Sequence, residues 1–282
     1  MNGSRPAKRR DHRERGRQTS AIAHLRLIER SYPDDPELGT AVSRAILLRV
    51  AAGELGPTVR IHLPGRELAF GRQDVASPGY ERAREAARVA GYPPVERLAG
   101  GRAAVFHEGT VAVTRAYPDT EPARHTYERF DEAAGWVQGA LARVGVGDLR
   151  VGEVPGEYCP GAYSVNARGR SKLAGIGQRM IRGGAHVGGV VVASGADELR
   201  SVLGPVYEAL DLDWDPATAG AAEDELDREL PREELAAALV DTIASEHEIE
   251  RVDVDDETLA LARRLVGEGT RVMGSLPPTR QG

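Results

Sequence analysis

Residues 169–192 read GRSKLAGIGQRMIRGGAHVGGVVV, and this stretch carries the most information about the fold. It alternates β-type runs with turns that contain glycine: a turn at 168–169, a run from 171 to about 181, a turn at 183–184 and a run at 187–192. Glycine pairs between short β-type runs are typical of hairpin connections. With a short run before it, at residues 163–165, the stretch therefore predicts a β-meander.

Amphipathic segments surround this meander. The clearest repeats apolar side chains at spacings of three and four, which predicts a helix: Tyr127, Phe130, Ala134, Val137, Leu141 and Val144. Further helices are predicted where capping or termination signals bound a periodic segment: 35–53, 77–91, 194–210, 231–246 and 256–266.

Short β-type runs occupy the first half of the chain. Two of them, 58–63 and 67–70, are separated by Pro64-Gly65. Two others, 103–107 and 110–116, predict a hairpin across Glu108-Gly109. Helices interspersed with hairpins predict an α+β domain, with mixed or antiparallel β-sheets packed with helices and a small C-terminal helical appendage.

The charge distribution divides the chain into three parts. Residues 1–20 hold seven basic and two acidic side chains without an apolar anchor, and are predicted to be a disordered basic tail. Residues 21–212 are predicted to be the main folded domain. Residues 211–230 hold eight acids against Arg228 alone, so residues 213–282 are predicted to be a solvated acidic connector followed by the helical appendage.

The composition argues against a membrane protein, a disulfide-bonded protein and a nucleic-acid-binding protein. No apolar stretch approaches the roughly 20 residues of a membrane helix, so no membrane association is expected. The chain has 1 cysteine, which cannot form an internal disulfide and is typical of a reducing compartment. The protein is therefore predicted to be cytoplasmic. The net charge is -6 despite the basic tail, so nucleic acid is not an expected partner.

The lone cysteine and one lysine are the candidate catalytic residues. Cys159 lies in the predicted loop GEYCPG at residues 156–161, and it is either a nucleophile or a small buried hydrophobic residue. Lys172 is conspicuous because only it and Lys8 are lysines among 37 lysines and arginines. Its ammonium either lowers the pKa of a nearby thiol and stabilises negative charge in acyl transfer, or is simply exposed on a strand.

A glycine pair precedes the predicted strand at 103–107. The sequence at residues 97–107 is RLAGGRAAVFH, in which Gly100 and Gly101 either form a tight turn or let a ligand approach backbone N–H groups. The sequence GRQD at residues 71–74 places Arg72 at the exit of another strand.

Common catalytic signatures are absent from the sequence. It has neither a P-loop nor a dinucleotide-binding GxGxxG after a strand. His107-Glu108 does not extend to HExxH, one cysteine gives no zinc spacing, and no GxSxG is present. No metal site and no cofactor are therefore predicted.

Three of these stretches together resemble the lipoate-protein ligase and octanoyltransferase family, whose superfamily includes the biotin-protein ligases. The family's Gly-Arg-x-Gln, Arg-x-Thr-Gly-Gly-Arg-Ala-Val-x-His and Gly-Arg-Lys-x-Ala-Gly-x-x-Gln-Arg motifs resemble residues 71–73, 97–107 and 169–179. The likeness covers about residues 40–210. The chain departs from the motifs at Ala99, which replaces Thr, in the first motif, which is one residue shorter, and before Val105, where one residue is added.

The resemblance implies a fold, a reaction and a set of site residues. It implies that residues 21–212 form a biotin/lipoate ligase-like catalytic domain. In the cysteine-type octanoyltransferase branch a nucleophile precedes the Gly-Arg-Lys motif at a similar interval, and Cys159 occupies that place. The resemblance thus implies a Cys159 thioester, with Lys172 at the acyl carbonyl. The substrate-binding residues that it implies are Arg72, Gly100, Gly101, Arg102, His107 and Gly175.

The implied reaction moves an octanoyl or lipoyl group without a cofactor. The donor would be an acyl carrier protein or another acyl thioester, and the acceptor a lysine of a lipoyl-domain protein. One alternative is an ATP-dependent lipoate-protein ligase, which needs ATP and magnesium, with Lys172 at an acyl-adenylate and Cys159 incidental. The other is a non-catalytic accessory or acyl-binding module.

Overall fold

The computed structural model describes residues 24–266. Its helices are α1 (Pro36–Ala51), α2 (Arg72–Val75), α3 (Tyr80–Val89), α4 (Thr126–Arg143), α5 (Ala196–Ala209), α6 (Arg232–Ala244) and α7 (Asp256–Leu265). Its strands are β1 (His24–Ile28), β2 (Thr58–His62), β3 (Glu67–Phe70), β4 (Pro94–Glu96), β5 (Ala104–Phe106), β6 (Thr110–Pro118), β7 (Leu149–Val151), β8 (Val165–Ala167), β9 (Ser171–Ile181), β10 (Gly184–Val192) and β11 (Glu248–Arg251). Two short 3₁₀ turns cover Pro216–Thr218 and Ala222–Glu225.

The strands form two sheets. The larger has the order β11-β1-β2-β6-β10-β9-β8-β7, and the smaller has the order β4-β3-β5. Pairing is parallel between β1 and its two neighbours and between β3 and β4, and antiparallel elsewhere. The predicted α+β class with mixed sheets is confirmed, as is the meander, which is β8-β9-β10.

The large sheet separates a helical core from the face that holds the site. Val59 and Ile61 of β2 point into a core that also contains Trp136 of α4 and Leu239 of α6. Because side chains alternate along a strand, the residues between them point to the opposite face. That face is covered by α1, which contacts β2, β6 and β10.

The capping residues in the sequence predicted the start of α1 correctly and that of α3 to within three residues. Asp35 caps α1 by accepting a hydrogen bond from the backbone N–H of Leu38 at 3.0 Å, and Pro36 occupies the first turn. The segment that was predicted from residue 77 begins as a helix only at Tyr80. The hydroxyl of Ser77 accepts from the N–H of Gly79 instead, which forms a turn before the helix.

The predicted hairpin across Glu108-Gly109 is wrong. β5 pairs with β3 in the small sheet, whereas β6 pairs with β2 and β10 in the large one. The hydroxyl of Thr110 accepts from the N–H of His107 at 3.1 Å, and this side chain takes the place of a ladder partner. The turn therefore passes the chain between two sheets.

Part of the acidic segment at residues 213–230 packs against the folded domain, although its charge predicted a solvated connector. The prediction of a solvated connector is wrong for Ala219, Ala221 and Ala222, whose exposed fractions are 0%. The N–H of Gly220 donates to the carbonyl of Lys172 at 3.1 Å, so the connector lies against β9. Both predicted C-terminal helices are present as α6 and α7, and β11 adds an unpredicted strand parallel to β1.

Two expectations about organisation stay predictions. The basic tail at residues 1–20 lies outside the described residues. The boundary between residues 212 and 213 is likewise untested, although α6 shares the core of α4. Within residues 24–266, no helix combines the length and the apolar character that crossing a bilayer requires.

Candidate active site

Cys159 projects from the loop between β7 and β8 in an unusual backbone conformation. Its φ is 43°, a left-handed value that a residue with a side chain adopts only when its surroundings impose it. The N–H of Cys159 donates to the hydroxyl of Tyr207 at 2.8 Å, and that hydroxyl donates to the carbonyl of Ala103 at 3.1 Å. Tyr207 thus ties the cysteine to the start of β5.

Lys172, on β9, donates hydrogen bonds to the same loop. Its Nζ donates to the carbonyls of Tyr158 and Cys159, both at 2.8 Å, and to Oε1 of Glu157 at 3.0 Å. An ammonium has three N–H donors, so these contacts occupy all of them. The exposed fraction of Lys172 is 0%, which rules out an exposed strand lysine.

Glu157 completes this anchor. Its carboxylate also accepts from the N–H groups of Val154 and Gly161 at 3.1 Å and from the hydroxyl of Ser164 at 2.5 Å. Its side chain is as fully buried as that of Lys172. A buried ion pair is stable only when its remaining hydrogen bonds are satisfied, and here they are. The pair therefore fixes the loop on both sides of Cys159.

Two donors point at the thiol. Nη2 of Arg97 and the backbone N–H of Arg102 both lie 3.2 Å from Sγ of Cys159. Burial raises the pKa of Cys159, but the charges of Arg97 and Lys172 and these two hydrogen bonds outweigh it and hold the pKa below its ordinary value. The site therefore favours a thiolate, which is the nucleophilic form of cysteine.

Gly101 makes this approach possible. Its φ is 110°, and a Cβ at this position would lie 2.8 Å from Sγ of Cys159 and 2.0 Å from Nη2 of Arg97. Only glycine lets the N–H of Arg102 reach the thiol. The Arg102 guanidinium turns the other way, to the buried carboxylate of Asp74 at 3.3 Å.

A cavity of about 370 Å³ opens beside the thiol. It lies between the loop at residues 97–101 and the α1-covered face of the large sheet. Its lining includes Cys159, Lys172, Gly100, Gly101 and Gly175. A volume of this size is within the range of about 300 to 1,000 Å³ that small-molecule sites have.

The structure brings most of the predicted site residues together. Cys159, Lys172, Gly100, Gly101 and Gly175 line the cavity, and Arg102 reaches the thiol through its backbone. Two residues lie elsewhere: Arg72 is exposed on α2, and His107 is buried in the turn between the sheets. Nδ1 of His107 accepts from the N–H of Gly109 at 3.0 Å, so its contacts are those of a turn.

Four contributors were missed by the sequence interpretation. Arg97 begins the glycine motif and Glu157 is two residues before the cysteine, but neither position alone indicated a role. Tyr207 and Asp74 gave no signal, because they reach the site only through the tertiary fold.

One cluster has the composition of a metal site. Ligand atoms of His107, Glu108 and Glu198 lie within 4.8 Å of one another. Arg66 already pairs with both carboxylates at 3.2 Å, and Nδ1 of His107 takes the Gly109 N–H. Both carboxylates and Nδ1 of His107 are therefore already engaged, and only Nε2 of His107 is buried without a partner among residues 24–266.

Comparison with known proteins agrees with this geometry. Residues 35–244 match the family described as "Lipoyl protein ligase A/B catalytic domain". The octanoyl-GcvH:protein N-octanoyltransferase of Anoxybacillus flavithermus is 30% identical over 167 residues, which cover 59% of each chain. Its namesake from Bacillus velezensis is 28% identical over 229 residues, or 81% of this chain and 75% of the relative.

Solved structures share the architecture. A lipoate-protein ligase A bound with ATP aligns with a TM-score of 0.65 at 17% identity, over 86% of this chain and 94% of that chain. A bi-partite lipoate protein ligase from Thermoplasma acidophilum aligns with a TM-score of 0.64 at 16% identity, over 92% and 100%. At such identities the likeness shows the fold alone. The chain also spans only 59% of the length of the first two curated relatives it matches.

Proposed function

Because the chain belongs to the lipoyl protein ligase A/B catalytic domain family, we propose that it is an acyltransferase that carries an octanoyl group as a thioester on Cys159. The acceptor is a lysine of a lipoyl-domain protein. The observation that supports this most directly is the thiol itself, which lines the cavity with two N–H donors at 3.2 Å.

The chemistry needs two exchanges. Sγ of Cys159 attacks the acyl carbon of a donor thioester, the new carbon–sulfur bond forms, and the donor thiolate leaves. The amine of the acceptor lysine then attacks the same carbon and the bond to Sγ breaks. The products are an amide and the regenerated cysteine. Arg97 and the Arg102 N–H stabilise sulfur in both exchanges, first as nucleophile and then as leaving group.

The donor is an acylated protein. An acyl carrier protein thioester fits the exchange described above. The relatives' names give octanoyl-GcvH as their donor, and this is the second donor to test. Neither exchange needs ATP, because one acyl bond of the donor breaks as the bond to Sγ forms: the leaving group is the thiolate of the carrier protein, or the atom of GcvH that held the octanoyl group, which takes up a proton.

The thiol, rather than Lys172, favours this mechanism over the ATP-dependent ligase. The three N–H donors of Lys172 are bonded to Glu157 and to two carbonyls, which leaves none for an acyl-adenylate in a ligase or for the acyl carbonyl at which the lysine was expected in a transferase. A non-catalytic module would have no need of a cysteine whose pKa is lowered in the wall of a cavity.

Acyl transfer to a lipoyl domain tests the proposal. The full chain is incubated with the acceptor and either octanoyl carrier protein or octanoyl-GcvH, without ATP and magnesium, and the acceptor mass is followed. We expect octanoylated acceptor from at least one donor, and none with Cys159→Ala. Product only from free octanoate with ATP and magnesium would instead establish the ligase, and no product under any condition would establish the non-catalytic module.

A further inference from the structure

Acyl transfer at Cys159 moves negative charge from sulfur to the acyl oxygen. As Sγ attacks, the carbon–oxygen double bond becomes single and its electron pair settles on oxygen. The pair returns to the double bond when the leaving group departs. Enzymes stabilise such an oxyanion with fixed donors at about 2.7–3.1 Å from the oxygen. The site therefore needs a donor beside the thiol whose hydrogens are not already engaged.

Four donors around the thiol are engaged. Lys172 gives its three N–H bonds to oxygen atoms of the protein, and the backbone N–H of Arg102 donates to Sγ itself. The backbone N–H groups of Cys159 and Gly161 donate to side-chain oxygens at 2.8 and 3.1 Å. None of these N–H donors has a hydrogen left for an acyl oxygen.

The guanidinium of Arg97 is different. It carries five N–H bonds in a planar fork. The bond from Nη2 to Sγ of Cys159 is the only side-chain hydrogen bond of Arg97 among residues 24–266, and no carboxylate in that range forms an ion pair with it. Its Nε is buried there without a partner. The carboxyl of Asp74 accepts instead from Arg102 and from the N–H of Gly71. Arg97 therefore has a charge and several donors that the protein does not use.

Arg97 is also in the right place. It lines the cavity, and its Nη2 lies 3.2 Å from Sγ of Cys159. The oxygen of an acyl group on the thiol is two bonds from Sγ, the second of them only about 1.2 Å long. An acyl oxygen that turns toward Arg97 is therefore within hydrogen-bond distance of the fork. Glycine at position 101 leaves room for this contact, because a Cβ there would lie 2.0 Å from Nη2.

From these contacts we propose that Arg97 donates to the acyl oxygen and stabilises the oxyanion in both exchanges, while Lys172 holds the loop. The inference deepens the proposed function and rests on it for the identity of the acyl group. A hydrogen bond from a charged donor to an anionic oxygen is shorter and stronger than an ordinary one. Arg97 thus interacts more strongly with the oxyanion than with the neutral acyl oxygen, and only such a difference accelerates a reaction. Arg97 is therefore a catalytic residue.

A comparison of two reactions of the same thiol tests the inference. Octanoyl-pantetheine acylates Sγ through an oxyanion, whereas iodoacetamide alkylates it by a displacement that forms none. Both reactions need the thiolate, so the ratio of their second-order rate constants at one pH cancels the thiolate fraction. We expect this ratio to fall by a factor of about 100 in Arg97→Met. It should stay unchanged in the control Arg88→Met, on the exposed face of α3.

A role on sulfur alone gives a different result. Without Arg97 the pKa of the thiol rises, and the thiolate becomes more nucleophilic toward both reagents. The two rate constants then change together and their ratio stays the same. Arg97→Lys keeps the charge but not the fork, so its ratio should lie between those of the wild type and Arg97→Met, and it provides the test if Arg97→Met does not fold. A ratio equal to that of the wild type in the folded variants would overturn the inference.

A measurement without acyl transfer separates the inference from the proposed function. Octyl trifluoromethyl ketone adds to the thiol: Sγ bonds to the carbonyl carbon, the thiol proton passes to the oxygen, and the resulting hydroxyl can ionise. Fluorine NMR follows that ionisation. We expect the pKa of the hydroxyl to be about two pH units lower in the wild type than in Arg97→Met, the equivalent of a factor of about 100.

The outcomes of the NMR titration are distinct. Ionisation at the same pH in both proteins, or no adduct with the wild type, would overturn the inference. The expected difference, without any acylation of the wild type by octanoyl-pantetheine, would support the inference and contradict the proposed function alone.

Discussion

Nη2 of Arg97 donates a hydrogen bond to Sγ of Cys159 at 3.2 Å, although the two residues are 62 positions apart in sequence. A Cβ at Gly101 would lie 2.0 Å from this Nη2, so the contact requires glycine at that position. A permanently charged donor in contact with sulfur favours the thiolate over the thiol. The pair therefore helps to hold the pKa of Cys159 below its ordinary value.

Replacing Arg97 should raise the pH range over which the thiol reacts. In Arg97→Met the thiol loses its largest favourable charge, so the pKa of Cys159 should rise and the thiolate fraction at pH 7 should fall. We expect iodoacetamide to alkylate Cys159 about tenfold more slowly at pH 7, with a midpoint at higher pH than in the wild type. Arg88→Met, on the exposed face of α3, is the control. An unchanged midpoint would show that Arg97 does not control the thiol.

Breaking the buried pair should cost stability. In Lys172→Met the carboxylate of Glu157 is left buried without its cation, which typically costs about 3–5 kcal/mol. Urea unfolding should show this loss, and the double variant Lys172→Met/Glu157→Gln should recover part of it. Arg150→Met removes an exposed pair with Asp148 and should cost no more than about 1 kcal/mol. Equal losses in the two single variants would contradict the role of Lys172 as an anchor.

A methyl group at Gly101 should slow the acylation of Cys159. Gly101→Ala places a Cβ against Sγ and the Arg97 guanidinium at a φ that alanine disfavours. We expect acylation of Cys159 to fall by a factor of about 100, as expected when a well-placed backbone donor is lost. Gly135→Ala is the matched control, since a Cβ there meets nothing within 4 Å. Its helical site should tolerate alanine, with stability raised by up to about 1 kcal/mol. Normal acylation in Gly101→Ala would show that the loop can move aside.

Glu67 should make stability depend on pH. This cavity-lining carboxyl is desolvated, and burial raises its pKa from 4.5 to about 8 despite the charge of Arg60. The folded state thus holds a proton that the unfolded chain releases, so stability falls as pH rises from about 4.5 to about 8 and then levels off. The melting temperature of Glu67→Gln should exceed that of the wild type by a margin that widens over this range. At pH 8 we expect a gap of at least about 2–4 °C, the equivalent of about 1 kcal/mol. Exposed Glu208→Gln is the control, and a margin that does not change with pH would contradict the raised pKa of Glu67.

Local signals in the sequence accounted for much of the fold. Periodicity located α4, and glycine turns located β8, β9 and β10, because both signals come from adjacent residues. The proximity of Cys159 and Lys172 was also accessible, since one loop and the next strand separate them. The failures were non-local. The turn at Glu108-Gly109 looked like a hairpin, but the partners of its two strands are distant in sequence. The contact between Arg97 and Cys159 and the support from Tyr207 likewise depend on the tertiary fold.

The central claim is that Cys159 carries the acyl group, and intact mass spectrometry tests it most directly. The full chain is mixed with octanoyl carrier protein or octanoyl-GcvH in the absence of acceptor, and its mass is measured before and after hydroxylamine. We predict one added octanoyl group that hydroxylamine removes and that is absent in Cys159→Ala. An adduct that forms equally well in Cys159→Ala, or acceptor octanoylation by that variant at the wild-type rate, would contradict the account.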